Sequence, residues 1–317
     1  MHYSVMLNET IESLNLKVDG TYVDATLGYA GHSSVILSRI KRGFLFAFDQ
    51  DIDAISYSEK KLKNIGENFK IIKSNFVFLK KELLNNGINE VDGILFDLGV
   101  SSPQLDNASR GFSYLKDARL DMRMDKSSDF SAYDLVNTYS EKDLARIIFS
   151  YGEEKYAKSI AKNIVKKRSE KKIETTFELL DIIKHSMPYK DTINKNPGRR
   201  TFQAIRIEVN HELDILETSI RDAISMLKPG GRLCVITFHS LEDKIVKKIF
   251  KEVTSIDKLV RGLPEIPEEY LPKYKIISDG ILPGSKELEE NHRSRSSRLR
   301  VIERIKFDEK ETKEEKK

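Results

Sequence analysis

The chain has 317 residues, enough for a full hydrophobic core and two domains at about 100–200 residues each. With 39% hydrophobic and 33% charged residues it fits a globular protein with a heavily hydrated surface, and no run approaches the ~18 apolar residues of a membrane span. Net charge is a modest +4, the single Cys234 has no partner for an internal disulfide, and Met1 to Leu16 lacks the basic start and apolar middle of a signal peptide, so the cytoplasm is the expected compartment, with no membrane partner.

The first hundred residues alternate short apolar strands with helical patterns, which signals a parallel α/β sheet. Thr21–Ala25 reads as the first strand and ends at a turn, Thr26-Leu27-Gly28-Tyr29-Ala30-Gly31. A helix opens at His32-Ser33-Ser34, with Val35, Ile36 and Ile40 as its apolar stripe. Gly43–Phe48 is the second strand and Asp49 follows directly. Ala54–Leu62 has a helical pattern, Lys70–Lys73 is the third strand, and Val91–Phe96 is the fourth, closed by Asp97. In open parallel sheets the ligand site lies at such carboxyl ends.

After Pro103 the alternation stops, and the chain is polar and helical in pattern from about Leu105 to Arg200. One helix, Glu153 to Arg168, sets Tyr156, Ile160, Ile164 and Val165 on one face and Lys158, Lys162 and Lys166 along the other. Pro197-Gly198 marks the exit, and a long amphipathic helix follows with Ile205, Val209, Leu216, Ile220 and Leu227 as its stripe. Lys228-Pro229-Gly230-Gly231 ends it, since neither Pro nor paired glycines readily extend a helix. The fifth strand is then Arg232–Phe238, and Lys275–Ile277 with Leu299–Arg304 read as an antiparallel pair at the sheet edge. The expected organisation is a discontinuous sheet domain of residues 1–104 and 201–306, an inserted helical substrate-recognition domain of 105–200, and a disordered charged tail over 307–317.

Three basic stretches offer phosphate-binding surfaces. Lys158 to Lys172 holds seven basic residues against Glu170 alone; Lys195, Arg199, Arg200 and Arg206 follow without an acid among them; and Arg293, Arg295, Arg298, Arg300 and Arg304 are opposed by Glu303. Each reads equally well as a solvated helix face.

A strand, a glycine loop, a helix and then an acid after the second strand are common to dinucleotide-binding and methyltransferase folds. The glycines let the backbone approach a ligand and the acid accepts hydrogen bonds from ribose hydroxyls. Asp24 begins a D-x-T-x-G-x-x-G-H run here, and Asp49 comes 25 residues later. Gly28 and Gly31 are three apart with Ala30 between, so the loop departs from G-x-G-x-x-G and the dinucleotide reading loses ground. Two further features favour a methyltransferase. Lys228-Pro229-Gly230-Gly231 is a frequent turn into the fifth strand of class I methyltransferases. After the fourth strand, where amine-directed nucleic-acid methyltransferases carry an Asp/Asn/Ser-Pro-Pro-aromatic loop, Ser102-Pro103-Gln104 is a loose variant and Asp97 is the acid at the strand end.

The resemblance then becomes specific. Asp97 to Asp106, Arg110-Gly111-Phe112-Ser113, Leu120-Asp121-Met122-Arg123-Met124-Asp125, Tyr151-Gly152-Glu153-Glu154, Arg200-Thr201-Phe202-Gln203-Ala204, Phe238-His239-Ser240-Leu241-Glu242-Asp243 and Arg295 to Arg300 resemble the ribosomal small-subunit RNA methyltransferase H family, from His2 to about Arg304. The resemblance implies a class I (Rossmann-like) S-adenosylmethionine methyltransferase sheet with an inserted helical domain. It implies N4-methylation of a cytidine in the decoding (P-site) region of bacterial 16S rRNA, with S-adenosyl-L-methionine as cofactor. The partner is then 16S rRNA within the small ribosomal subunit or its precursor. By the same analogy the cofactor contacts map to Ala30, Gly31, His32, Asp49, Phe76, Asp97 and Gln104. Ala30 stands where the family usually has a second glycine, and its methyl group would crowd the methionine moiety slightly.

A cytosine exocyclic nitrogen is a poor nucleophile because its lone pair is conjugated with the ring, so acceptors that hold its N–H groups would assist. Asp97 with Ser101, Ser102 and the carbonyls ahead of Pro103 are the candidate catalytic set, and Phe112 or Tyr114 are candidates to stack on the extruded base. Asp24 is read as part of the ligand loop or simply as a cap of the following helix, and His239 as a site residue or a structural one. Asp121, Arg123 and Asp125 read equally as an internal ion-pair cluster. The Asp and His groupings lack metal-ligand spacing, so no catalytic metal is expected. A nicotinamide-dependent oxidoreductase and a non-catalytic RNA-binding module are the competing classes, separated by whether the chain binds S-adenosylmethionine, NAD or neither.

Overall fold

The computed structural model describes residues 4–193, 196–256, 259–260 and 262–306. His2, Lys195 and the charged tail from Asp308, all named above, lie outside the described residues. The chain divides into two compact units: residues up to Gly99 with those from Ile215 onward, and Val100–Asp214.

The first unit carries a seven-stranded sheet: β1 (Thr21–Asp24), β2 (Phe44–Asp49), β3 (Phe69–Lys73), β4 (Val91–Asp97), β5 (Leu227–Thr237), β6 (Tyr274–Ile281) and β7 (Arg298–Arg304). Their order is β3-β2-β1-β4-β5-β7-β6. The first five neighbours run parallel, β7 is antiparallel to β5, and β6 is antiparallel to β7. This is the Rossmann-like class I α/β sheet expected from the sequence, including the antiparallel edge pair.

Successive side chains of a strand point to opposite faces, and here both faces are covered. Phe46, Phe48, Ile94, Phe96, Leu233 and Val235 enter one core, which also holds Leu216 and Ile220 of the helix Glu212–Ser225. Their neighbours Leu45, Ala47, Leu95, Cys234 and Ile236 enter the other, with Ile11 and Leu14 of the helix Leu7–Leu14 and Ile36 of Gly31–Arg39. Cys234 is fully buried, and that burial pushes its thiol upward, so it is an inert apolar side chain. The strand order reverses between β1 and β4, the switch point where such sheets open a crevice.

Two expectations are corrected. The long helix after Gly198 is two helices, Arg199–Asn210 and Glu212–Ser225, because His211 adopts φ +51° and a left-handed residue cannot continue the helical ladder. The fifth strand begins at Leu227, before the Lys-Pro-Gly-Gly run. Pairing with β4 jumps from Val91–Leu227 to Gly93–Arg232, so those four residues form a bulge within β5, and Gly230 supplies the φ of +79°.

The second unit is helical. Ser102–Asp106, Ala132–Thr138, Glu141–Gly152, Ala157–Glu170, Thr176–His185, Tyr189–Ile193 and Arg199–Asn210 surround a core that includes Leu135, Leu144, Ile148, Ile160, Ile183 and Ile205. Ser131 and Thr175 start their helices through capping boxes with Asp134 and Glu178. Helix Ala157–Glu170 begins later than the periodicity suggested, because Glu153 at φ +50° closes the preceding helix. No helix among the described residues is long and apolar enough to cross a membrane.

Candidate active site at the strand ends

Three of the central parallel strands end on aspartates: Asp24 on β1, Asp49 on β2 and Asp97 on β4. Asp24 is almost fully buried and spoken for. Its Oδ1 accepts the Thr26 N–H at 3.1 Å and its Oδ2 accepts the Ser33 hydroxyl at 2.7 Å, so it braces the glycine loop against the first turn of the next helix. Burial pushes its carboxyl upward, opposed by those hydrogen bonds.

Asp49 reaches back to the same loop. Its Oδ2 accepts the Gly28 N–H at 2.8 Å and its Oδ1 accepts the Asp51 N–H at 2.8 Å. Burial outweighs these bonds and lifts its carboxyl to about 6. The loop is tied down further by the Ser58 hydroxyl on the Gly28 carbonyl at 2.7 Å and by Lys61 Nζ on the Tyr29 carbonyl at 3.1 Å. Gly28 adopts φ +49°, and a Cβ placed on it would meet nothing nearer than 3.9 Å, so the loop backbone is open on that side. Ala30 also adopts a left-handed φ, +54°, and is fully buried in the cluster that also holds Leu27, Ile36 and Met6. Gly31 has no such freedom, since a Cβ there would overlap Ser4.

Asp97 is the least satisfied of the three. Its N–H donates to Thr26 Oγ1 at 2.7 Å, which links the glycine loop to the end of β4. Its carboxylate accepts no hydrogen bond from the described residues: Oδ1 is buried without a partner, and Oδ2 lies 3.6 Å from His32 Nδ1. Burial, and then the negative charges of Asp24, Glu242 and Glu287, hold its carboxyl well above the usual range. A buried polar atom without a partner in an otherwise bonded cluster makes Asp97 the candidate for ligand contact. His32 is also buried, and its Nε2 lies 3.1 Å from the Val5 carbonyl. Phe76 starts the short turn after β3 and meets Phe96 of β4 edge-on, with ring centroids 5.5 Å apart.

The sequence model of the MraW methylase family matches residues 1–305. A relative from Exiguobacterium sibiricum, ribosomal RNA small subunit methyltransferase H, is 52% identical over 307 residues, which covers 96% of this chain and 98% of that protein. The chain belongs to the MraW methylase family. Among solved structures, an rRNA methylase from Streptococcus thermophilus aligns over 95% of this chain and 94% of its own at 11% identity, with a TM-score of 0.43. A SAM-dependent O-methyltransferase from Thermotoga maritima aligns over 98% and 69% at 10% identity, with a TM-score of 0.41.

In this MraW-family chain the strand-four loop passes into the second unit, where Ser101, Ser102, Pro103 and Gln104 form its first turn of helix. Ser101 caps that helix. Its N–H donates to Gln104 Oε1 at 3.0 Å and its Oγ accepts the Gln104 N–H at 3.4 Å. Ala30, Gly31, His32, Asp49, Phe76 and Asp97 all lie in the first unit. Phe112 is in the second unit's core beneath Arg110, which removes it as a stacking platform, whereas Tyr114 is half-buried, edge-on to Phe202. Arg123 makes a two-pronged pair with Asp121 at 2.8 Å, so that cluster braces its own loop. His239 turns out to be a helix cap: its Nδ1 accepts the Glu242 N–H at 3.4 Å, while Glu242 takes the N–H groups of Phe238 and His239. Thr26, Ser33 and Ser58 do structural work in the site that the sequence alone did not assign, and Thr26 stood inside the quoted D-x-T-x-G run. The contribution of Glu287, which accepts the Met6 N–H from 281 residues away, has no local signal.

Proposed function

We propose that this chain transfers a methyl group from S-adenosyl-L-methionine to the exocyclic N4 of a cytidine in the decoding region of 16S rRNA, within the small subunit or its precursor. The observation that carries this reading is the 52% identity, across nearly the full length of both chains, to a protein named as a small-subunit rRNA methyltransferase. The geometry supports it through an open glycine loop, a carboxylate at the end of β2 and a buried, unpartnered carboxylate oxygen at the end of β4. Ala30, Gly31, His32, Asp49, Phe76, Asp97 and Gln104 would hold the cofactor, which supplies an already activated sulfonium methyl group. The chain's own part is alignment and electrostatics. Asp97, aided by Ser101, Ser102 and the carbonyls ahead of Pro103, receives the N–H groups of the target amine. The direct test is mass spectrometry of 16S rRNA nucleosides from cells with and without the gene. Calorimetry with S-adenosylmethionine and with NAD separates this reading from an oxidoreductase.

Asp49 gives a sharper check of the cofactor assignment. Asp49→Ala is expected to weaken S-adenosylmethionine binding by about 1.5–3 kcal/mol, as for lost hydrogen bonds to a charged acceptor. Because burial lifts its carboxyl to about 6, the acceptor is charged above that pH and neutral below it. Wild-type affinity should therefore fall as the pH drops through about 6, and Asp49→Asn should flatten that dependence. Calorimetric titrations between pH 5 and 8 decide it, and wild-type affinity in the Ala variant ends the assignment.

Ion pairing favours some basic side chains over others as phosphate contacts. Arg206 is paired with Glu212 at 2.8 Å, Arg168 donates to the Val136 and Tyr139 carbonyls, and Arg304 pairs with Glu90 at 2.6 Å. Lys158, Lys162 and Lys166 are exposed along one side of helix Ala157–Glu170, opposite Ile160 and Ile164. Replacing these three lysines with Gln should leave the fold intact and lower RNA affinity. The salt dependence should become shallower by roughly 0.7–0.9 for each phosphate that is no longer neutralised. Filter binding across a salt series reads this out, and an unchanged slope moves the phosphate-binding surface to Arg199, Arg200, Arg293 and Arg295.

A further inference from the structure

The imidazole of His32 has its orientation fixed by chemistry as well as by packing. A backbone carbonyl only accepts, so the contact between Nε2 and the Val5 oxygen at 3.1 Å requires the hydrogen on Nε2. In the neutral ring Nδ1 then carries no hydrogen, and it faces Asp97 Oδ2 at 3.6 Å. The surroundings of Asp97 are otherwise negative. Asp24 lies across from it on β1, Glu242 on the helix after β5, and Glu287 on the helix Ser285–Glu290. Asp24 is saturated by Thr26 and Ser33, Glu242 by the N–H groups it caps, and Glu287 accepts the Met6 N–H. Among the described residues, His32 is the basic group within ion-pair distance of Asp97.

We propose that His32 and Asp97 hold one proton between them and act as the acceptor for the proton that the target amine releases, with His32 as the positioning partner and Asp97 as the group facing the amine. This rests on the methyltransferase reading above. The step balances: the amine lone pair forms the new N–C bond, and the methyl–sulfur bond breaks with its electrons left on the sulfur of the sulfonium donor. The amine N–H bond then leaves its electrons on nitrogen, and its proton passes to the Asp97 carboxylate, where on Oδ2 it lies between that oxygen and His32 Nδ1. The negative neighbours of Asp97 favour a proton on it, and the imidazole on its far side spreads the charge which that proton brings. The carbonyl of Val5 keeps the ring from rotating away, and the Met6 N–H on Glu287 keeps that carbonyl in place.

His32→Gln tests this, since its amide can still donate towards Val5 but offers no titratable nitrogen to Asp97. Single-turnover transfer to RNA at saturating donor is expected to fall by about 10²-fold, the usual size of lost acid–base assistance. The inflection of its pH–rate profile is expected to move to lower pH, because the acceptor left behind holds its proton less tightly. A uniform loss at every pH, or a rate within threefold of wild type, overturns the proposal. A second measurement needs neither donor nor RNA: the imidazole of His32, followed by NMR in the free protein, should titrate at lower pH by about one unit or more in Asp97→Asn than in wild type. Identical titrations in the two proteins overturn the shared proton. A wild-type protein that binds donor and methylates no RNA overturns the functional reading and the acceptor role with it, while the titration still reports on the pair itself.

Discussion

Asp97→Asn is expected to lower methyl transfer by about 10²-fold or more at saturating donor, and at the same time to make the folded protein more resistant to heat at neutral pH. The two effects have one cause. The side chain sits at the end of β4 with one oxygen buried and unpartnered, against Asp24, Glu242 and Glu287. Its carboxyl is therefore raised above the ordinary value of 3.8, and the sign of the linkage follows. At a pH between the unfolded and folded values the native state keeps a proton that the unfolded chain has lost. Native stability thus declines as the pH rises through that window, and above it the charged carboxylate weakens the fold. Asn has the same shape and no charge to bury, so the melting temperature of the variant should exceed that of wild type by an amount that grows with pH. Calorimetric melting from pH 4 to 8 measures this. RNA affinity should stay within about twofold, since the group contributes no phosphate contact. A variant that turns over within twofold of wild type, or that melts below it throughout, removes Asp97 from the centre of the site. A site that is destabilising while unfilled is a common feature of enzymes, whose stability is spent where function requires it.

The sheet was legible because its signal is local. Runs such as Phe44 to Asp49 and Val91 to Asp97 are apolar on both faces and end on acids, and such a pattern fits only a covered parallel strand. The edge pair β6 and β7 showed only as the short runs Lys275–Ile277 and Leu299–Arg304, and β6 extends well beyond the run that announced it. Boundaries set by one left-handed residue were not legible: Glu153 at φ +50° belongs to a type that rarely adopts that conformation, and His211 at φ +51° to one that does so more often but still in a small minority of cases. The Lys-Pro-Gly-Gly run reads as a helix stop, yet it lies inside β5, since a bulge and a turn draw on the same residues. At the site, the D-x-T-x-G run named the loop correctly, whereas sequence left the division of labour inside it open. Asp24 is saturated by its own loop and Asp97 is not, a distinction that depends on Ser33, Thr26 and His32 in three dimensions. Charge runs were the least informative signal. Arg300 stood in a row with Arg293, Arg295 and Arg298, but alternation along β7 turns it inward.

That arginine carries the largest expected effect on stability. Arg300→Met should destabilise the fold by about 3–5 kcal/mol in urea unfolding at pH 7, the usual size when one partner of a buried ion pair is removed. Arg300 is 1% exposed, and its guanidinium donates to both Asp243 oxygens at 2.8 and 3.0 Å and to the Asp279 carbonyl at 2.9 Å. It also pairs with the Asp279 carboxylate, which is 61% exposed, so that contact is screened by water and adds little. The weight falls on Asp243, which extends from the first turn of helix Ser240–Val253 and also accepts the Thr237 hydroxyl at 3.4 Å. The pair with Arg300 holds the Asp243 carboxyl below its ordinary value despite its burial. A depressed carboxyl stabilises the folded state above the unfolded value and loses that contribution as the pH falls through the folded one. The deficit of Arg300→Met relative to wild type should therefore shrink in acid. Arg300→Lys should recover only part of the loss, because an ammonium cannot form the two parallel bonds. The double variant Arg300→Met with Asp243→Leu should be less destabilised than Arg300→Met alone, since it leaves only the exposed Asp279 carboxylate without that partner. RNA affinity and its salt slope should be unchanged in all three, which separates a structural arginine from a phosphate contact. A destabilisation below about 1 kcal/mol in Arg300→Met, or additive effects in the double variant, contradicts this account of how β7 and the helix after β5 are held together.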